Sequence, residues 1–554
     1  MNRTVKRVIS FVLVALMTAS LCVPGFAASY ESNGYPTIRI DGRSSVVYDE
    51  NGKQIYTNPD PSFNEVDYAK SLVPVIAKEL SKTLVTQDWE GYSRTICDKI
   101  TPLFEMIQLD ENANAKDGTN GGEPIVVNEN GKSVLKERTY GDSTYRALVP
   151  GKSEYHFIWD WRIDPLETAA VLAKYIKEVK RINNCEKVNI DSRCLGSVIV
   201  LAYFYLAESG ECDDADLNDV ANTVLYVPTI DGSQTVGALF ANRIYFDAKA
   251  IDDYVTYYMN GQDRFLNNTA YGDELEIFVS TFCSLMYQLE VLGFGTDVCT
   301  MVYEQLKDYM VPRLATHVFF FPTYWAMIDD RYYETAKAQL FKENADGYYT
   351  VDKDEYAGYI EKIDNYHYNV QVRNKEILLA AKDSGINISV IAKYGSNLLP
   401  VEKDSKAQGD GRIETRSLSL GATCSDLTKT LSDDYIADHD SSYISKDKKI
   451  DASTCLFPDN TWFIRDSNHA SFPNGIEQFK SYLIHSKNPL NVEDMKQYGY
   501  SQFMTYSDKT DSLAEVTDGG KFDKLFTTDF FVVIFRFLTA LFKLLARMQT
   551  VNAQ

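Results

Sequence analysis

The stretch KVNIDSRCLGSVIVLAYF, residues 187–204, decides the fold of this chain. Its pattern predicts a short strand rich in β-branched residues, a sharp turn, and a helix that is apolar on every side. This order is typical of a nucleophile elbow, a strained turn that exposes a reactive side chain above a sheet. The residues two before and two after the nucleophile must be small, because the strand and helix backbones nearly touch there. A centre at Cys194 meets this requirement with Ser192 and Gly196, whereas a centre at Ser192 or Ser197 does not, so we predict Cys194 as the nucleophile in place of the usual serine.

The first 27 residues are predicted to be a cleaved secretory signal. Three basic residues precede an apolar run at 8–23, and residues 25–27 supply the small residues that a signal peptidase recognises. We therefore expect the protein to be secreted or otherwise extracytoplasmic.

The chain is strongly acidic. Its formal net charge of −22 becomes −25 once the signal, which carries three cations and no acid, is removed. A field of this sign repels nucleic acid, and no basic cluster with interleaved aromatic residues offsets it. The composition therefore excludes a nucleic-acid partner.

The eight cysteines outside the signal are too few for a disulfide scaffold. Cys424 and Cys455 bracket one polar loop, which makes them the best candidates for a disulfide. No C-x-x-C motif occurs and the six histidines are scattered, so the sequence predicts no metal site and no cofactor.

Strands and helices alternate around the elbow. We predict core strands at 36–40, 155–161, 188–190, 223–227, 386–392 and 461–464. Strands separated by amphipathic helices indicate a mostly parallel sheet with helices on both faces. The fold class predicted from the alternation is therefore α/β.

A block of helices rich in Tyr and Phe interrupts this alternation at 245–385. We interpret it as an inserted helical cap between two parts of the core, at 28–244 and 386–500. The alternative is a second helical core with no role at the site, since its aromatic faces would look the same.

Residues 501–554 are predicted to be a linker followed by a C-terminal amphipathic helix at 525–548. The charges of this helix form one narrow stripe, made of Asp529, Arg536, Lys543 and Arg547. Spanning a bilayer would bury three cations at roughly 2.5–3.5 kcal/mol each. The pattern therefore favours a helix lying on a membrane surface, with packing against protein or a membrane span as the alternatives.

A cysteine nucleophile of this kind needs a base, and the base needs an orienting acid. In the chain order of α/β-hydrolase sites, the acid follows a late strand and the histidine follows the last strand. Asp410 and His469 occupy those two positions relative to the predicted strands. We predict them as the acid and the base, with Asp466 and Asp231 as alternative acids.

Acyl transfer also requires two backbone N–H groups that stabilise the oxyanion. Leu195, directly after the nucleophile, supplies one of them. The loop after the first core strand should supply the other, which points to Arg43, next to Gly42.

Several short segments occur together in a meaningful order. They are PTIRIDGRSS at 36–45, Asp-Trp-Arg at 160–162, SRCLGS at 192–197, PTIDGS at 228–233, GDGRI at 409–413, and His469. In this order they resemble the first strand and oxyanion loop, the Asp-Trp-Arg strand end, the G-H-S-x-G-G elbow, the proline strand end, the Gly-Asp-Gly-Thr-Val acid loop and the catalytic histidine of one family. That family is the α/β-hydrolases of the lecithin:cholesterol acyltransferase and lysosomal phospholipase A2 type.

The resemblance implies an α/β-hydrolase fold with a catalytic triad of Cys194, Asp410 and His469, and with Arg43 and Leu195 as oxyanion donors. Family members cleave or transfer acyl chains of lipids. The chain would thus be an acyl-ester hydrolase or acyltransferase that uses an acyl-cysteine intermediate, with the aromatic block as lid and acyl-chain wall.

The sequence departs from the family pattern at the elbow itself. Cysteine replaces the nucleophilic serine, arginine replaces the elbow histidine, and serine replaces both outer glycines. A second interpretation is therefore a catalytically inactive protein of this fold that binds a lipid or a protein partner. A cysteine peptidase is a weaker third, because nothing in the chain resembles the helix-borne cysteine of that class.

Overall fold

The computed structural model describes residues 30–517, except for 43–46, 49–53, 57–74, 76–77, 80–81, 84, 106, 120, 122–124, 128–132, 140–141, 244–297, 397, 399–406, 470–472 and 508–509. Four predicted features lie outside the described residues: the signal peptide, Arg43, the first part of the cap block and the C-terminal helix. None of the helices in the described part of the chain is both long and apolar enough to cross a membrane.

An eight-stranded sheet organises the described fold. Its strands in chain order are β1 (Thr37–Ile40), β2 (Glu154–His156), β3 (Val188–Arg193), β4 (Val220–Tyr226), β5 (Asn387–Tyr394), β6 (Thr461–Arg465), β7 (Phe503–Ser507) and β8 (Ser512–Glu515). The spatial order is β8-β7-β6-β5-β4-β3-β1-β2, and every neighbouring pair is parallel except β7 and β8. The prediction of an α/β fold with a mostly parallel sheet is confirmed.

Four smaller sheets lie outside this one. Three of them are two-stranded and pair Val47–Tyr48 with Gln54–Tyr56, Phe341–Lys342 with Val351–Asp352, and Thr423–Cys424 with Ile450–Asp451. The fourth has three strands, in which Ser133–Thr139 lies between Ile125–Val127 and Asp142–Ala147. Cys424 and Cys455, the predicted disulfide pair, are both free thiols, so that pairing is not formed. Cys424 instead lies in a two-stranded ladder opposite Ile450.

The α-helices cover both faces of the sheet and the segments between its strands. They are α1 (Trp89–Ile100), α2 (Pro102–Glu105), α3 (Pro165–Asn183), α4 (Gly196–Ser209), α5 (Gln234–Phe240), α6 (Val298–Val318), α7 (Pro322–Trp325), α8 (Asp330–Leu340), α9 (Ala357–Tyr366), α10 (Asn374–Asp383), α11 (Thr415–Leu418), α12 (Asp433–Ala437), α13 (Asn474–His485) and α14 (Val492–Lys496). A π-helix at His367–Gln371 continues from α9.

Two hydrophobic cores, one on each face, bury the sheet. On one face, α4 packs between α3 and α10, and it is buried from Gly196 to Leu206 because neighbours surround it. On the other face, α13 packs against β3 and β4. The alternation of side chains in β4 joins the two cores, since Leu225 belongs to the first and Val224 and Tyr226 to the second.

The strand predicted at 155–161 is wrong in extent. Only Glu154–His156 is a strand, and the aromatic residues that follow it lie in an irregular segment. Trp161 is buried there against Phe321, with ring centroids 5.0 Å apart. The aromatic run therefore indicated burial correctly, but burial does not require an extended backbone.

The linker predicted to begin at residue 501 is wrong over its first part. Residues 503–507 and 512–515 form β7 and β8, which extend the sheet beside β6. These strands are short and partly exposed at the sheet edge, so their apolar pattern is weak. The core therefore extends beyond residue 500.

The described part of the aromatic block is mostly helical, as predicted, but many of its aromatic side chains are buried. Phe320, Trp325 and Tyr359 are buried and belong to the core that also contains α4. The rings of Phe320 and Tyr359 are stacked 4.4 Å apart. Because α10 packs directly on α4, the end of the predicted cap segment is part of the core layer.

Candidate active site

The chain reverses sharply at Cys194, between the end of β3 and the start of α4. Its φ of +46° lies in the left-handed region, which costs a non-glycine residue roughly 1–3 kcal/mol unless its surroundings hold it there. The Cys194 N–H donates to the carbonyl of Tyr226 at 3.0 Å, and the Cys194 carbonyl accepts from the Ser197 hydroxyl at 2.7 Å and the Thr229 hydroxyl at 3.3 Å. The turn is therefore held from both sides in its strained conformation.

The two positions that the sequence required to be small are tightly packed. A Cβ added to Gly196 would lie 2.3 Å from the carbonyl oxygen of Ile40, so a larger residue cannot fit without displacing β1. Ser192 is fully buried, and its hydroxyl donates to the carbonyl of Val224 at 3.3 Å. The elbow therefore has the close approach of strand and helix that predicted Cys194 as its centre.

Cys194, His469 and Asp410 come together at the carboxyl end of the parallel strands. The imidazole Nδ1 of His469 lies 2.6 Å from Oδ2 of Asp410, and the imidazole also interacts with the Cys194 thiol. The second carboxylate oxygen of Asp410 accepts the backbone N–H groups of Ile413 at 2.9 Å and Arg412 at 3.0 Å. Asp410 is thus fixed by its own loop and can orient the histidine.

The electrostatics of the three groups favour charge separation. Burial raises the pKa of the Cys194 thiol, but the positive charge and hydrogen bond of His469 outweigh burial and leave that pKa below its usual value. Burial likewise lowers the pKa of His469, yet the negative charges of Asp410 and Cys194 raise it to about 10. The pKa of Asp410 is lowered, because His469 and two backbone N–H groups outweigh its burial. These interactions therefore shift all three groups towards their charged forms, a thiolate, an imidazolium and a carboxylate.

The predicted oxyanion donors are described only in part. The backbone N–H of Leu195 is one of the groups that lower the pKa of the Cys194 thiol, which places one donor near the reacting atom. Arg43, the other, lies outside the described residues. Its neighbour Gly42 passes close to the nucleophile, since a Cβ added there would lie 3.9 Å from the Cys194 sulfur. The loop after β1 therefore passes beside Cys194, as the sequence predicts.

The alternative acids have other partners. Asp466 pairs with Arg465 at 3.4 Å, and Asp231 accepts a hydrogen bond from the amide of Asn374 at 2.8 Å. Among these three carboxylates, Asp410 is the one hydrogen-bonded to His469.

An ionic contact that the sequence analysis did not identify links the elbow to the oxyanion loop. The Arg193 guanidinium pairs with Glu477 of α13 at 2.5 Å and with Asp41 at 3.5 Å. Asp41 also interacts with His156, and the hydrogen bonds that His156 donates to Asp41 and Glu154 raise the pKa of that histidine to about 9. The one sign of this contact in the sequence is Arg193 itself, which directly precedes the predicted nucleophile. The family that the sequence resembles has histidine at this position.

The residues described in the structure include no group of three or more His, Cys, Asp or Glu side chains arranged to hold a metal ion. No protein-family model matches the sequence, and no curated protein is significantly similar to it. What the chain can do must therefore be argued from the site. A strained turn, a thiol whose pKa is lowered and an adjacent backbone N–H are the parts required for nucleophilic attack on a carbonyl carbon.

Proposed function

We propose that this protein is an exported acyl-ester hydrolase or acyltransferase with an α/β-hydrolase fold, acting on a lipid-like ester through an acyl-Cys194 intermediate. One observation carries the proposal. Cys194 lies on a left-handed turn between strand and helix and interacts with His469, whose Nδ1 is 2.6 Å from the carboxylate of the buried Asp410. A buried structural cysteine has no need of either a strained turn or an oriented imidazole.

The reaction proceeds in two steps. The Cys194 thiolate attacks the ester carbonyl, and the oxyanion is stabilised by the Leu195 N–H together with the loop after β1. The C–O bond then breaks, the His469 imidazolium gives its proton to the leaving alkoxide, and an acyl thioester on Cys194 remains. The imidazole next removes a proton from water or an acceptor alcohol, whose oxygen attacks the thioester and releases the acid or the new ester. The thiolate and the imidazolium are thereby restored.

The lipid-like substrate follows from the resemblance in motif order to the lecithin:cholesterol acyltransferase type. Many described aromatic residues of 298–385 belong to the core and pack against one another. This packing favours a role as rigid support for the fold over a role as an open wall for the acyl chain. Residues 244–297, outside the description, are the remaining part of the proposed lid. Attachment to a membrane surface through residues 525–548 is part of the same proposal.

Turnover of p-nitrophenyl esters with short and long acyl chains tests the proposed activity. The mature protein is expected to release p-nitrophenol, with a preference for one chain length, and Cys194→Ala is expected to lose this release. The control is Cys212→Ala, which changes a cysteine outside the site. Ser197→Gly would be a poor control, because the Ser197 hydroxyl holds the turn. Equal release by all three proteins would mean that Cys194 is not the nucleophile. No release by any of them, in folded protein, would favour the binding protein over the enzyme.

A further inference from the structure

A lysine is buried beneath the candidate site. Lys393 lies near the end of β5 and its side chain is 0% exposed. Its ammonium group donates to the backbone carbonyl of Asn468 at 2.6 Å. Burying an ammonium is unfavourable unless strong partners compensate, and a charge-assisted hydrogen bond of this length is such a partner.

Asn468 directly precedes His469, so this hydrogen bond acts on the peptide group that carries the proposed base. The carbonyl of that peptide accepts from Lys393, and its N–H donates to the carbonyl of Asp410 at 2.8 Å. The peptide is therefore held at both of its polar atoms. Since the imidazole must meet Asp410 and Cys194 at once, the orientation of this peptide determines whether both contacts form.

Lys393 is also coupled to the nucleophile. Its ammonium lies over the ring of Tyr226, 5.0 Å from the centroid, a distance suited to a cation–π interaction. The carbonyl of Tyr226 accepts the Cys194 N–H at 3.0 Å. One buried cation thus contacts both the histidine loop and the residue that anchors the elbow.

We propose that Lys393 is a positioning residue. Through the Asn468 carbonyl, Lys393 holds His469 in the place where the imidazole contacts both Asp410 and Cys194. The inference rests on the proposed function, because the Cys194–His469 pair is the chemistry that it supports. Lys393 acts on that pair through the backbone and takes no part in bond making.

The chain supplies a matched control. Lys480 of α13 is also buried, and it lies over the same Tyr226 ring at 5.3 Å. Its hydrogen bonds go to the carboxylates of Asp191, at 2.7 Å, and Glu477. Lys480→Met therefore removes a buried cation from the same ring but leaves the contact with Asn468 intact.

The test is the pH dependence of Cys194 alkylation by iodoacetamide, followed by peptide mass mapping so that other thiols are counted separately. Asp410 is the charged group that acts on the pair itself. Arg193, Glu477 and Asp191 act on the neighbouring Tyr226, whose ring Lys393 and Lys480 also face. The wild type should alkylate with a midpoint below that of an ordinary thiol. Lys393→Met should raise this midpoint by about one pH unit or more, because a displaced imidazolium no longer stabilises the thiolate. Lys480→Met should keep the wild-type midpoint.

An unchanged midpoint in Lys393→Met, or equal shifts in both variants, would overturn the proposal. If Lys393→Met does not fold, amide hydrogen exchange of His469 in the unmodified protein tests the proposal instead. The His469 amide is expected to exchange as slowly as the amides of β5. Fast exchange would contradict a loop that is held in place. Alkylation needs no ester substrate. A shift confined to Lys393→Met in a protein without ester turnover would therefore keep the positioning role and reject the proposed reaction.

Discussion

His469 is joined to Asp410 twice, by a contact of 2.6 Å between Nδ1 and the carboxylate and by a hydrogen bond of 2.8 Å from its backbone N–H to the Asp410 carbonyl. The ring and the backbone of the histidine are thus oriented by the same residue. Asp410 in turn is fixed by the N–H groups of its own loop. The acid therefore sets both the position and the protonation of the proposed base.

Asp410→Asn should abolish most of the activity while keeping the shape of the loop. The neutral amide no longer stabilises the imidazolium and favours the wrong tautomer, a change that lowers kcat by roughly 10⁴-fold in a triad of this kind. The measurement is kcat for a p-nitrophenyl ester. Asp466→Asn is the control, because Asp466 pairs with Arg465, and it should change kcat little. Loss of activity in the control alone would assign the acid to Asp466.

The acylation rate should depend on pH through both members of the ion pair. Acylation needs the Cys194 thiolate, so the rate should fall as the pH drops below the lowered pKa of the thiol. It also needs a protonated His469 to release the alcohol, so the rate should fall again as the pH rises through about 10. A pre-steady-state pH profile of alcohol release from an alkyl ester, whose alkoxide needs a proton to leave, measures both limbs. A single limb near the pKa of an ordinary thiol would contradict the ion pair.

Gly196→Ala should destabilise the fold through the elbow. The new Cβ would lie 2.3 Å from the Ile40 carbonyl, and forcing β1 away from α4 should lower the free energy of unfolding by about 3 kcal/mol. Ser192→Ala, at the other small position, removes one hydrogen bond and should lower it by about 1 kcal/mol. Urea unfolding of both variants gives the comparison. Equal effects would mean that strand and helix are not in close contact at Gly196.

Arg193→Gln should weaken catalysis more than binding. Its guanidinium joins the elbow to Asp41, next to Gly42 in the oxyanion loop, and to Glu477. Loosening that loop should lower kcat by roughly 10- to 100-fold with a smaller change in KM, because the oxyanion forms only during reaction. Arg181→Gln removes an exposed pair with Glu178 and is the control. A rise in KM with unchanged kcat would place Arg193 in substrate binding instead.

The positions of most core strands along the chain, and the meeting of Cys194, Asp410 and His469 at one site, could be predicted from the sequence because their signals are local. Each signal spans only a few residues: a β-branched strand before Cys194 and an apolar helix after it, and a polar loop after a later strand for each of Asp410 and His469. Strands at or next to the sheet edge give weaker signals, so the sequence predicts β2 too long and a linker where β7 and β8 lie.

The contacts that support the site could not be predicted in the same way. Lys393 meets Asn468 across 75 residues, and Arg193 meets Glu477 across 284. Such pairs depend on the register between neighbouring strands and on where α13 packs. A lysine within the otherwise apolar strand NISVIAKY was the one local sign, and it does not reveal its partner.

Acid-quenched intact mass of the mature protein mixed with a p-nitrophenyl ester tests the central claim most directly. We predict one acyl group on the wild type, located on Cys194, and none on Cys194→Ala. Neutral hydroxylamine should remove this group, as it removes a thioester. An adduct that persists in Cys194→Ala, or an acyl group mapped to another residue of the wild type, would contradict the assignment of Cys194 as the nucleophile.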